Sequence, residues 1–203
     1  MMSNYQMIIE QNLKTLFSDD LQERAAAMAA DWNGRFLAFK AFGAPCRMTP
    51  QGIFLDDQLQ TGPVGIILSL YALHAIAEAF QQEPLIAFKE IPNSTPYAGA
   101  FSSHTEQILV SQVDRIIDHR QLIMDRLDGY EAPAQMGGDD ALVVRPLPKI
   151  ALCYIFYAAD EDFPASTTCL YSNNAPAFMP VDGLADVGEY TSREILALLE
   201  QTA

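Results

Sequence analysis

Basic side chains are scarce in this sequence. Twelve Lys and Arg stand against 26 Asp and Glu, a formal charge of -14 over 203 residues. Proteins that grip phosphate backbones or anionic lipid concentrate Lys and Arg to displace counterions. The few present here are scattered, with Arg115, Arg120 and Arg126 interleaved among Asp114, Asp118 and Asp125. Nucleic acid and membrane are therefore not expected as partners, which leaves a small molecule or a protein. The acidity reads first as a means of solubility, with a cation or a basic partner as the alternative.

Cysteine is also sparse. Cys46, Cys153 and Cys169 lie far apart and form no C-x-x-C pair. That spacing argues against a disulfide framework and against a sequence-local zinc or iron–sulfur site. A reduced, cytoplasmic protein is expected. Long apolar runs are missing too: the longest, Pro63 to Phe80, carries His74 and Glu78 and falls short of the roughly 20 residues a bilayer needs. No basic segment followed by an apolar run opens the chain, so no secretory signal is expected. Signatures of catalysis are absent as well, with no phosphate-loop glycines, no G-x-S-x-G elbow and no G-x-G-x-x-G fingerprint. No catalytic residue, metal site or cofactor is assigned on these grounds.

What is present is a globular composition, 50% hydrophobic and 19% charged, which excludes disorder for the body of the chain. Neither repeats nor low-complexity linkers divide it. One domain over 1–203 is expected, with a helical segment 1–30 packed on an α+β body 31–203. Apolar spacing predicts helices over residues 4–17 and 21–30, then three short strands within 35–41, 46–48 and 53–55 as an antiparallel meander. Thr61 to Ala79 reads as a helix capped by Thr61, with Pro63 in its first turn. Leu85 to Ile91 reads as a strand, Asn93 to Ser103 as a loop, and Ser103 to His119 as a helix. Strands at 141–144, 150–158 and 167–171 are joined by links too short for parallel crossover, and the nearly continuous apolar run Ile150–Tyr157 suits a sheet centre. A helix over 181–199 follows. These elements predict an α+β fold, a mostly antiparallel sheet of about six to seven strands flanked by helices.

Several side chains invite a functional reading. Asp160, Glu161 and Asp162 end a buried strand; they suit a hard cation or an acid–base pair, although a solvated turn anchored by Phe163 and Pro164 is simpler. Lys89 and Glu90, with Tyr97 across a Gly/Pro-bearing loop, could hold an anionic ligand; an edge-strand Lys that deters aggregation is the simpler account. Alternation would place Lys89 on one strand face, with Phe88 and Glu90 on the other. His104 follows two serines near a helix start, where the dipole disfavours imidazolium; a neutral ring there suits an acid, base or ligand, with capping the simpler role for the serines. His74 reads as a core residue on an apolar helix face and His119 as exposed.

Three segments carry a resemblance. Ala87-Phe88-Lys89-Glu90-Ile91-Pro92 followed by Pro96-Tyr97-Ala98-Gly99-Ala100-Phe101 is the first. Leu147-Pro148-Lys149-Ile150-Ala151-Leu152 with Asp160-Glu161-Asp162-Phe163-Pro164 is the second, and Met179 to Glu189 the third. In this order they resemble an uncharacterised bacterial and archaeal family of anaerobes, domain of unknown function family 3786. Where that pattern commonly has a Trp before the acidic turn, this chain has Tyr157-Ala158-Ala159. Some of its relatives carry a cysteine-rich iron–sulfur-type domain, for which this chain lacks the cysteines. The resemblance implies a setting in anaerobic, corrinoid or one-carbon metabolism, and supplies no catalytic residues. A non-catalytic small-molecule-binding or accessory module is therefore the leading expectation. The alternatives are an enzyme whose site assembles from 88–104 and 160–162, and a homodimeric interaction module.

Overall fold

The computed structural model describes residues 3–202. Met1, Met2 and Ala203, assigned to the single domain by sequence, lie outside the described residues. The fold is α+β and its strands divide between two antiparallel sheets of five strands each.

Helix α1 (Asn4–Leu16) starts on a capping box, Ser3 Oγ accepting from Gln6 N while Gln6 Oε1 accepts from Ser3 N. It buries Ile9, Leu13 and Leu16, spaced to share one face. Helix α2 (Leu21–Met28) is capped by Asp20, whose carboxylate accepts from Gln22 N and Glu23 N. The first sheet is a meander of β1 (Asp31–Trp32), β2 (Leu37–Ala41), β3 (Ala44–Thr49), β4 (Gly52–Leu55) and β5 (Gln58–Leu59). It contains the expected three-stranded unit and extends it by a short strand at each edge. Phe42 and Gly43 make the two-residue β2–β3 turn with φ of 49° and 79°, the positive pair that a type I′ hairpin requires.

Helix α3 spans Pro63–His74, shorter at both ends than expected. Gly62, not Thr61, occupies the cap position and offers no side-chain bond. At the far end Ala75 turns the chain out with ψ of 134°. The cause is tertiary: the Arg24 guanidinium donates to the carbonyls of Ala72 and Ala75. Lys149 Nζ donates to the carbonyls of Ile76 and Glu78, at 3.0 and 2.8 Å. Those carbonyls are taken by cations before another helical turn can use them. His74, expected in the core, is instead exposed at the last turn.

Lys149 is buried to 7% exposure and sits 5.2 Å from the Phe178 ring centroid. Burial lowers its pKa, with Glu78 opposing the shift. Lys149→Met is expected to cost about 2 kcal/mol, because two acceptors lose a charged donor. Chemical denaturation of the two proteins measures the cost, and an unchanged midpoint would show that water replaces the ammonium freely.

The second sheet has the order β6 (Ile86–Ala87), β10 (Ser166–Tyr171), β9 (Ile150–Tyr157), β8 (Asp140–Leu147) and β7 (Tyr130–Glu131). Strand β9 lies at its centre, as its apolar run predicts. Its residues alternate between two buried environments. Ile150, Leu152, Tyr154 and Phe156 face the main core. Ala151, Cys153 and Ile155 face a smaller cluster with Phe80, Leu85, Tyr130 and Leu170. A strand covered on both faces needs no polar alternation. The main core draws on both sheets and on the helices, and Phe42 N donates to Pro146 O at 2.7 Å where the sheets meet. All three cysteines are free and buried, and burial raises the Cys46 and Cys153 thiols to about 12.

The segment 85–91 departs from expectation. Only Ile86 and Ala87 pair, with Tyr171 and Leu170, before Phe88–Glu90 closes into a 3-10 turn. Glu90 Oε2 accepts from Ala87 N at 3.1 Å, and Phe88 stacks on Phe101 with centroids 4.2 Å apart. The strand alternation expected for Lys89 therefore does not exist, nor does its edge-strand role. Helix also begins earlier than expected: α4 (Ala98–Phe101) runs into a π-helical turn, Ser102–Gln107, and then α5 (Ile108–Val110). Helices α6 (Val113–Asp118) and α7 (Arg120–Arg126) complete this layer, and α8 (Val181–Glu200) closes the fold. Among the described residues no helix is long and apolar enough to cross a membrane.

Candidate functional site

Helix α8 carries Asp182, Asp186, Glu189 and Arg193 at spacings of four, three and four residues, which place them along one helix face. The opposite face buries Leu184, Val187, Thr191, Ile195 and Leu198. Gly188 allows the close approach of α4: a Cβ there would stand 2.6 Å from Phe101 Cε2 and 2.9 Å from the Tyr171 hydroxyl.

The charged face borders a cleft of about 470 Å³ between α1, α3 and α8. Tyr5 from α1, Val64, Ile66 and Ile67 from α3, and Tyr190 from α8 supply an apolar wall. Asp186, Glu189 and Arg193 supply the polar side. Glu189 is fully engaged. Its Oε1 accepts from Arg193 Nε and Nη2 at 3.0 and 2.8 Å, and its Oε2 lies 3.1 Å from His104 Nδ1. Among the described residues, by contrast, no hydrogen bond or ion pair engages the Asp186 carboxyl. Asp186 is exposed as a whole residue; partial burial of its carboxyl, followed by the charges of Glu189 and Asp182, raises its pKa above the ordinary carboxylate value.

Behind Asp186 and Glu189 lies a recess of about 120 Å³, lined also by Tyr97, Phe101 and His104. Tyr190 borders a further polar cleft of about 460 Å³ with Gly43, Asp56, Gln58, Asp125 and Arg126. Burial raises the Tyr190 pKa, assisted by Glu194, so the phenol remains neutral. Its ring meets Phe42 edge-on at 4.6 Å.

The residues singled out by sequence divide accordingly. Tyr97 and His104 come together at the recess. His104 sits inside the π-helical turn rather than at a helix start, and its serine neighbours are not caps. Lys89 and Glu90 are exposed on the 3-10 turn, and neither lines the recess or the cleft. Asp160, Glu161 and Asp162 are exposed on the β9–β10 hairpin and also line neither. Asp160 Oδ1 accepts from Asp162 N and Phe163 N at 2.8 and 2.7 Å, so its carboxylate serves its own turn. Phe163 does not anchor that hairpin; it is 70% exposed. His119 is half-buried, with Nδ1 2.9 Å from Arg115 O. Among the described residues, no group of three or more His, Cys, Asp or Glu side chains is placed to hold a metal ion.

Sequence reasoning missed Asp186, Glu189, Tyr190 and Arg193. The signal was there: four charges on one stripe of a helix whose other face is core. No curated protein and no solved structure matches this chain. A family model described as Domain of unknown function (DUF3786) matches residues 20–194, and the chain belongs to that family.

Proposed function

We propose that this protein is a non-catalytic small-molecule-binding module that receives its ligand in the cleft between α1, α3 and α8. The observation that carries the reading is the cleft's composition, an aliphatic and aromatic wall facing a short row of charges. Small-molecule sites are concave and largely apolar with a few placed polar groups, and span roughly 300–1,000 Å³. A volume of about 470 Å³ falls in that range. It suits a group the size of one or two fused rings and is smaller than a complete corrinoid, which would insert only its periphery. Within anaerobic corrinoid or one-carbon metabolism, a compact one-carbon metabolite is accordingly the better fit. The buried free thiols support a reducing, cytoplasmic setting.

Thermal unfolding against a panel of corrinoid and one-carbon metabolites tests the reading. A ligand at 100 times its dissociation constant adds about 2.7 kcal/mol and raises Tm. Val64→Trp, which fills the cleft from α3, is expected to abolish that rise while leaving the unliganded protein folded. A rise that persists in Val64→Trp would place the ligand elsewhere, and a panel without any rise would remove the support for this metabolic setting.

A further inference from the structure

The charge of the cleft identifies a class of ligand. Resting on the binding reading above, we infer that the cleft takes an organic monocation, an ammonium group on an aliphatic or aromatic body, with the ammonium seated against Asp186.

The argument begins with charge balance. Asp186 and Glu189 contribute two negative charges to the lining and Arg193 one positive. Arg193 is spent on Glu189 through both Nε and Nη2, and His104 holds the other carboxylate oxygen of Glu189. One carboxylate of the lining, that of Asp186, is left without a partner among the described residues. Asp182 follows one helical turn away and deepens the negative potential. Asp186 is exposed beside like charges, and a cation that pairs with it relieves their repulsion.

The wall points the same way. Tyr5 and Tyr190 line the cleft, and aromatic faces attract ammonium groups through their quadrupole. Tyr5 is half exposed, so its ring is accessible from the cleft. Val64, Ile66 and Ile67 offer no hydrogen-bond partner in their side chains, so the remainder of the ligand is apolar. An anion is disfavoured here, because the guanidinium of Arg193 is already neutralised and the whole molecule carries a formal charge of -14.

Three probes of similar size and different charge test the inference: phenethylamine, phenethyl alcohol and phenylacetate, titrated by calorimetry and followed by NMR. The amine is expected to bind at least tenfold more tightly than the alcohol, and the acid not at all. In Asp186→Asn the amine is expected to fall to the affinity of the alcohol, with the alcohol unchanged. Glu161→Gln, on the distant hairpin, is expected to leave both untouched. Equal binding of amine and alcohol, or an amine unaffected by Asp186→Asn, overturns the cation inference while the cleft remains a binding site. An equal loss in Glu161→Gln overturns it as well, since attraction is then the diffuse field of an acidic protein. If none of the three binds, and none shifts the resonances of Val64 or Tyr190, the cleft reading fails together with it.

Discussion

Gly43→Ala is expected to destabilise the protein by about 3 kcal/mol or more, through positive-φ strain and overpacking together. Gly43 adopts φ of 79° at the second position of the β2–β3 turn, a conformation that costs an L-residue about 1 kcal/mol or more. The larger part is steric. A Cβ at this position would lie 1.7 Å from the carbonyl oxygen of Arg126 and 3.1 Å from Leu127 Cα. Both belong to the backbone at the end of α7, so no side-chain rotation relieves the clash. The turn cannot retreat either, because Phe42 N is bonded to Pro146 O at 2.7 Å. Gly34→Ala is the matched control: its φ is 85°, and nothing stands within 4 Å of the added Cβ. It is expected to cost about 1 kcal/mol, the conformational part alone. Equal denaturation midpoints for the two variants would mean that the hairpin does not approach α7 this closely.

Ser192→Ala is expected to cost about 2–4 kcal/mol, since two buried groups lose their partner together. Ser192 Oγ donates to Thr105 O at 2.7 Å and lies 3.0 Å from the Tyr154 hydroxyl. Ser192, Thr105 and Tyr154 are each buried to 1% exposure or less, so water does not reach the vacated groups. This one hydroxyl joins α8, the π-helical turn and β9. Tyr154→Phe alone is expected to cost less, because it removes the phenol that needs satisfying. The double variant should then cost less than the sum of the singles. Strict additivity in that cycle would show that the two hydroxyls do not share a bond.

How much of this was legible in the sequence depends on where each feature gets its stability. Strand β9 was legible because seven consecutive buried residues, Ile150 to Phe156, leave a composition mark of their own. The β2–β3–β4 meander was legible through Gly43 and Gly52 between short apolar runs. The π-helical turn was not. It rests on long-range bonds, Ser192 to Thr105 O and Cys169 N to Glu106 Oε1 at 3.1 Å, and local periodicity says nothing of these. The end of α3 was misplaced for the same reason: Arg24 and Lys149 reach it from distant positions. Tyr97 and His104 were singled out and do meet. The cleft they adjoin was hidden, because Tyr5, Val64 and Asp186 come from three separate helices and no run of sequence contains them.

Each sheet is bounded by strands of two residues, β1 and β5 on one, β6 and β7 on the other. A border that short presents too few free amides and carbonyls to template a neighbouring chain. Such short edges lessen the strand-to-strand stacking of one molecule on the next that is the usual hazard of a β-rich protein.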